Sequence, residues 1–212
     1  MIKFLFKSDL SDEEAMVKFQ NGDVEGFNII LKRYDRPLYR FLLRMMSGNV
    51  SQAEDLFQDV FLKVIEKKKD FDSKKSFKTW LYTVARNTAI DFIRKESYRD
   101  HISLDSMAYN SVEYSNVSRL DLIQSKIKGQ ERVFFEKELN NLLTEKLNVL
   151  NNEFREVFIL KEIEGLKFNE IAEITDSPLS TVKSRLRYAL KKLKNEIKKS
   201  GYFEYLNNVS EA

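Results

Sequence analysis

The chain contains no cysteine in 212 residues, which excludes disulfides, thiolate metal ligands and a thiol redox switch. Its one histidine, His101, has neither a cysteine nor a second histidine beside it, which argues against a metal role. Two prolines and six glycines are too few for an all-β or loop-rich fold. No run reaches the ~18 apolar residues of a membrane span, and the apolar start MIKFLFK is far too short for a secretory signal. The expectation is a soluble, cytoplasmic protein that does not insert into a membrane. A glycine-rich phosphate loop and a Cys or His cluster are also missing, so an enzyme is poorly supported and no cofactor is expected. The net charge of +3 is too small to imply a polyanionic partner by itself; the placement of charge has to decide.

What the chain does have is helical periodicity, clearest near its carboxy end. Phe168, Ile171, Ala172 and Ile174 recur at helical spacing, and Thr175, Asp176, Ser177 and Pro178 then form a turn. There Ser177 is predicted to cap a second helix and Pro178 to open it. In that helix Leu179, Val182, Leu186, Ala189, Leu190, Leu193 and Ile197 make one apolar stripe, predicted to be core. The opposite face carries Ser180, Thr181, Ser184, Arg187, Tyr188 and Lys191, flanked by Lys183 and Arg185, and no acid appears before Glu196. A basic, hydroxyl-rich face on the second helix of a helix-turn-helix suits a DNA major groove, where bases offer acceptors and phosphates are anionic. The plainer alternative is a solvated basic face.

In the amino-terminal half, Ser11 and Glu14 form a capping box ahead of a short helix that ends near Gly22. About 24–46 shows an apolar stripe interrupted by Pro37, which predicts two helices or one kinked helix. Ser51 and Glu54 predict a second capping box, opening a helix over about 52–68 with Leu56, Phe57, Val60, Phe61, Val64 and Ile65 in its core. Its outer side sets Leu62 among Asp55, Asp59 and Glu66, an apolar centre in a carboxylate stripe that fits a basic protein partner. A lysine-rich loop over 67–76 contains Phe71. The helix predicted over about 77–96 turns Phe77, Trp80, Leu81, Val84, Thr88 and Phe92 inward, with Trp80 at the boundary, and Thr79, Thr83, Arg86, Asn87, Ile90 and Arg94 outward. Rings edged by Asn, Thr and Arg can hold unstacked bases, although rings at helical spacing more often serve a core. Periodicity fails over about 97–131 and returns over about 133–150 and 152–164, with Gly165 as a helix stop.

Two blocks resemble the bacterial RNA polymerase sigma factors of the extracytoplasmic-function (ECF) group. Residues 27–96, with AEDLFQDVFLKV at 53–64 and FKTWLYTVARNTAIDFIRK at 77–95, resemble sigma region two. Residues 147–193, with FREVFILKEIEG at 154–165 and STVKSRL at 180–186, resemble region four. The resemblance implies an all-α fold of two small helical domains, 8–96 and 133–199, joined by a flexible linker over 97–132 and followed by a tail over 200–212; the second is a four-helix domain with the helix-turn-helix. It implies binding to core RNA polymerase at the β′ clamp helices and β flap, promoter recognition, and an anti-sigma factor as a further partner.

By that resemblance Asp55, Gln58, Asp59 and Leu62 dock on the clamp. Lys183, Ser184 and Arg187 reach base edges of the −35 element, with Thr181, Arg185 and Tyr188 nearer phosphates. Phe71 with its loop residues Asp72, Ser73 and Lys74, together with Asn87, captures a base flipped from the −10 element; Trp80, Thr83, Arg86 and Arg94 support the opened strand. The turn 175–177, Arg187 and Tyr188 depart from the usual family pattern, so the promoter sequence read is not carried over. The rival reading is a freestanding helix-turn-helix regulator, which would dimerise and bind duplex DNA unaided.

Overall fold

A computed structural model of the chain describes residues 10–103 and 143–199. These are helices joined by short turns, with no strand among the described residues. The predicted linker beyond residue 103, the start of the predicted helix over 133–142 and the tail over 200–212 lie outside them.

The amino-terminal set comprises α1 (Asp12–Gln20), α2 (Val24–Met45), α3 (Val50–Glu66) and α4 (Phe77–Ser103). The predicted Ser11 box forms: Ser11 Oγ accepts from the Glu14 amide at 3.1 Å and Glu14 accepts from the Ser11 amide at 2.7 Å. The second predicted box does not. Asn49 caps α3 instead, accepting from the Gln52 amide at 3.1 Å, because the helix starts two residues before Gln52 and Ser51 already lies inside it. α2 runs as one helix through Pro37. It crosses α1 so closely at Gly26 that a β-carbon there would lie 2.2 Å from the Ala15 carbonyl oxygen. α4 continues to Ser103, past the predicted end near residue 96, so the predicted boundary at 96/97 falls inside a helix.

The carboxy-terminal set begins with a helical turn at 143–147, followed by α5 (Asn152–Phe158), α6 (Phe168–Thr175) and α7 (Leu179–Lys199). α5 runs on into a π-helical turn, Ile159–Ile163, and Gly165 ends it at φ +71°, a left-handed conformation that costs glycine little. Arg155 locks this set together. Its buried guanidinium donates to the carbonyls of Leu147 and Leu150 at 3.2 and 3.0 Å and to Ser47 Oγ at 2.7 Å. Burial holds its pKa below the ordinary arginine value.

The two helical sets expected from the sequence are both present, and their buried residues join in one core. The carboxy-terminal Leu147, Leu160, Ile171 and Val182 belong to the same buried cluster as Leu38, Phe41, Leu81 and Tyr82. α4 lies against α6, and Asn148 donates to the Ser47 carbonyl at the end of α2.

Candidate nucleic-acid and partner interfaces

The helix-turn-helix of α6 and α7 closes through Asp176, at φ +48°, and the Ser177 amide donates back to the Ala172 carbonyl at 3.1 Å. The predicted cap is not made. Ser177 Oγ donates to the Thr175 carbonyl and accepts from Arg185, while Pro178 precedes the first helical residue and offers its carbonyl to Val182. On α7, Val182, Leu186, Ala189 and Leu193 are buried as predicted. Leu190 is 44 % exposed and Leu179 also stands partly in solvent, so the core stripe is narrower than the sequence pattern. A helix resting on neighbours along one side buries only the centre of its apolar arc.

Lys183, Ser184 and Arg187 are exposed together on α7, as a major-groove reading requires. Thr181 is half-buried, and its carbonyl accepts from Ser184 Oγ at 2.9 Å. Tyr188 is 48 % exposed and leans on Phe154 with ring centroids 4.3 Å apart, a support from α5 that carried no signal in the sequence. Arg185 differs from expectation. Its guanidinium donates to Ser177 at 3.0 Å and to Glu153 at 2.8 Å, so it braces the turn against α5 instead of facing a phosphate.

On α3, Asp55, Gln58, Asp59, Leu62 and Glu66 form one exposed surface, with Leu62 56 % exposed among the carboxylates. Ile65, predicted to be core, is 42 % exposed and extends the apolar centre by one helical step.

The loop between α3 and α4 is built from α1. Gln20 Nε2 donates to the carbonyls of Lys68 and Phe71 at 2.7 and 2.8 Å, and Glu13 accepts from the Phe77 amide at 2.9 Å. Neither residue has a motif that would single it out. Asp72 turns the tip by accepting from the Lys74 amide at 3.0 Å, leaving Asp72, Ser73, Lys74 and Lys75 exposed. Phe71 contradicts its assignment as the base-capturing ring: it is 4 % exposed, with the rings of Phe77 and Trp80 each 5.5 Å away. Its apolar ring anchors the loop by burial, and Trp80 beside it is half-buried.

Along α4, Asn87 and Arg94 are exposed and Thr83 is half-exposed. Thr79, predicted to face outward, is buried, and its hydroxyl donates to Glu170 at 3.3 Å. Arg86 is already paired, with its Nε 3.0 Å from a carboxylate oxygen of Glu156. Tyr82 donates to the carboxylate of Glu164, and Lys78 donates to the Glu164 carbonyl at 2.6 Å. Burial pushes the Glu156 and Glu164 carboxyls above the usual carboxylate range, although Arg86 and Tyr82 respectively pull the other way.

Comparison with known proteins decides among the readings. Residues 30–99 match the Sigma-70 region 2 family, and residues 140–193 match the family described as Sigma-70, region 4. The chain is 31 % identical over 190 residues to the ECF RNA polymerase sigma factor SigW of Bacillus subtilis, covering 87 % of this chain and 98 % of that one. This chain belongs to the ECF sigma factors. The ECF sigma-E factor of Haemophilus influenzae is similarly related, 29 % identical over 89 % of this chain and 96 % of its own length. Among solved structures, the sigma factor RpoE in complex with the anti-sigma factor NepR from Bartonella quintana superposes with a TM-score of 0.63 at 26 % identity, over 82 % of this chain and 98 % of that one. CnrH in complex with the cytosolic domain of CnrY shares the fold at a TM-score of 0.62 and 19 % identity, over 89 % of this chain and 97 % of that one. This sigma factor directs transcription initiation, and a freestanding regulator is not favoured. No helix among its described residues is long and apolar enough to cross a membrane.

Proposed function

We propose that this sigma factor divides its work between two exposed surfaces. Asp55, Gln58, Asp59 and Leu62, joined by Ile65, dock on the β′ clamp helices of core RNA polymerase. α7 reads the −35 element through Lys183, Ser184 and Arg187, with Thr181 and Tyr188 nearer the backbone; this half also meets the β flap. The loop residues Asp72, Ser73 and Lys74, with Trp80, Thr83, Arg86, Asn87 and Arg94, receive the strand opened at the −10 element. Phe71 packs beside Trp80. The reading needs no covalent chemistry, cofactor or metal, and it places the protein in the cytoplasm with the polymerase.

The observation that carries it is the pairing of opposite surfaces in one chain: an acidic face with exposed Leu62 on α3 and an exposed basic, hydroxyl-bearing face on α7. An anti-sigma factor is proposed as a further partner, since the similar sigma factor RpoE of Bartonella quintana is in complex with one. Transcription reconstituted with core polymerase and genomic DNA, followed by mapping of start sites, tests the assignment. Defined starts that depend on this chain and share two upstream elements support it. Starts that vanish from Lys183→Ala and Arg187→Ala proteins equally at every promoter would reduce those residues to phosphate binders.

A further inference from the structure

Resting on that reading, we infer that Gln20 is a positioning residue for the strand-receiving loop: from α1 it holds the loop in the shape that lets Asp72, Ser73 and Lys74 discriminate among bases of the −10 element. Gln20 is the last residue of α1 and is half-buried. Its side-chain amide has two N–H bonds and uses both, Nε2 donating to the Lys68 carbonyl at 2.7 Å and to the Phe71 carbonyl at 2.8 Å. Both partners are acceptors, so only the amide nitrogen can face them, which fixes the orientation of the group. One planar amide gripping two carbonyls three positions apart sets the bend by which the chain enters the loop. Phe71 adjoins Asp72, whose carboxylate accepts from the Lys74 amide at 3.0 Å and turns the exposed tip, so the tip is aimed by the bend that Gln20 sets.

Further fastenings of the loop come from the same helix. Lys68 lays its ammonium over the Phe19 ring, 4.5 Å from the centroid, and donates to the Phe19 carbonyl at 3.5 Å. At the loop's exit Glu13 accepts from the Phe77 amide at 2.9 Å, giving the first N–H of α4 a partner from outside its own helix. α1 is in turn fixed to α2 by the close approach at Gly26 and by Asp12, which accepts from Arg33 and Tyr34. A loop tied at entrance and exit to a fixed helix loses less conformational freedom when it closes on a base, so more of the contact energy appears as discrimination. Without the Gln20 bonds the loop samples other shapes, while exposed Asn87 and Arg94 of α4 still meet the strand. Strand binding then persists and selection among bases declines, because the selecting shape is populated only part of the time.

Initiation by the full-length protein with core polymerase tests this, on templates that carry each of the four bases in turn at every −10 position of a mapped promoter. Gln20→Glu keeps the shape of the side chain and replaces its donor with another acceptor. Preference at the captured position should then fall from on the order of tenfold toward parity. Gln20→Lys, whose ammonium can donate to the same two carbonyls, should restore most of that preference, which a role in packing alone would not allow. Trp80 is the only tryptophan in the chain and its ring lies 5.5 Å from that of Phe71, so it reports on the loop. Its emission should shift to the red and be quenched more readily by acrylamide in Gln20→Glu, and revert in Gln20→Lys. Retained preference in Gln20→Glu, or an equal loss at every −10 position that Gln20→Lys does not recover, overturns the inference. Ser73→Ala and Lys74→Ala at the tip separate it from the reading on which it rests. If they relax base preference and Gln20→Glu does not, the Gln20 clamp alone fails; if they leave preference intact at every position, the loop does not receive the strand.

Discussion

Replacing Leu62 by alanine separates a docking residue from a folding residue with two measurements. Fully burying a leucine side chain is worth about 1.5–3 kcal/mol. Leu62 is 56 % exposed in the free chain, so roughly half of that, about 0.8–1.7 kcal/mol, remains to be gained when a partner covers it. The Leu62→Ala protein should therefore bind core polymerase about 4- to 16-fold more weakly. Its melting temperature should move by no more than a degree or two, because the lost methyl groups were mostly in water. Competition of the variant against a dye-labelled wild-type chain for core polymerase gives the first number, and a thermal melt gives the second. Asp55→Arg with Asp59→Arg should weaken binding further and make the loss depend on salt, since both carboxylates are exposed. Wild-type affinity in Leu62→Ala, or a loss matched by a large drop in melting temperature, would refute the docking surface.

Gly26→Ala should destabilise the fold by about 1–3 kcal/mol, because the added carbon meets backbone atoms of α1, Ala15 O at 2.2 Å and Phe19 N at 2.7 Å, which cannot swing aside. Thermal unfolding should show a fall of several degrees, and an increase would mean that the helices separate freely. Lys183→Ala and Arg187→Ala should each reduce use of a cognate promoter by about 1–3 kcal/mol per base contact, read as promoter-specific initiation. Because burial raises the Glu164 carboxyl, its proton is held more tightly in the folded chain than in the unfolded one. That contribution to stability is complete below the usual carboxylate value of 4.5 and is lost as pH rises through the folded value. The melting temperature of the wild type should therefore fall relative to that of Glu164→Gln from pH 4.5 toward neutrality, and a rise relative to the variant would contradict the assignment.

Period and capping are local, so the helices and most of their faces are legible along the chain alone. The Ser11 box, the buried Val182, Leu186 and Ala189, and the exposed Asp55, Asp59 and Leu62 all follow from neighbours within two helical turns. Where a face's fate depends on a distant element, the same rules fail. Ile65 and Leu190 belong to apolar stripes yet reach solvent, because among the described residues no neighbour extends to cover the edge of the arc on which they lie. Phe71 sits in a lysine-rich loop that reads as open, but Gln20, 48 and 51 positions from its two carbonyl acceptors, pins that loop over a ring cluster. Only the tertiary structure could join Arg86 to Glu156, 70 positions away, or Tyr82 to Glu164, 82 positions away. Periodicity assigns a polar side chain to a surface, but whether water, nucleic acid or the chain's own carboxylates meet it there is settled by how the two halves pack.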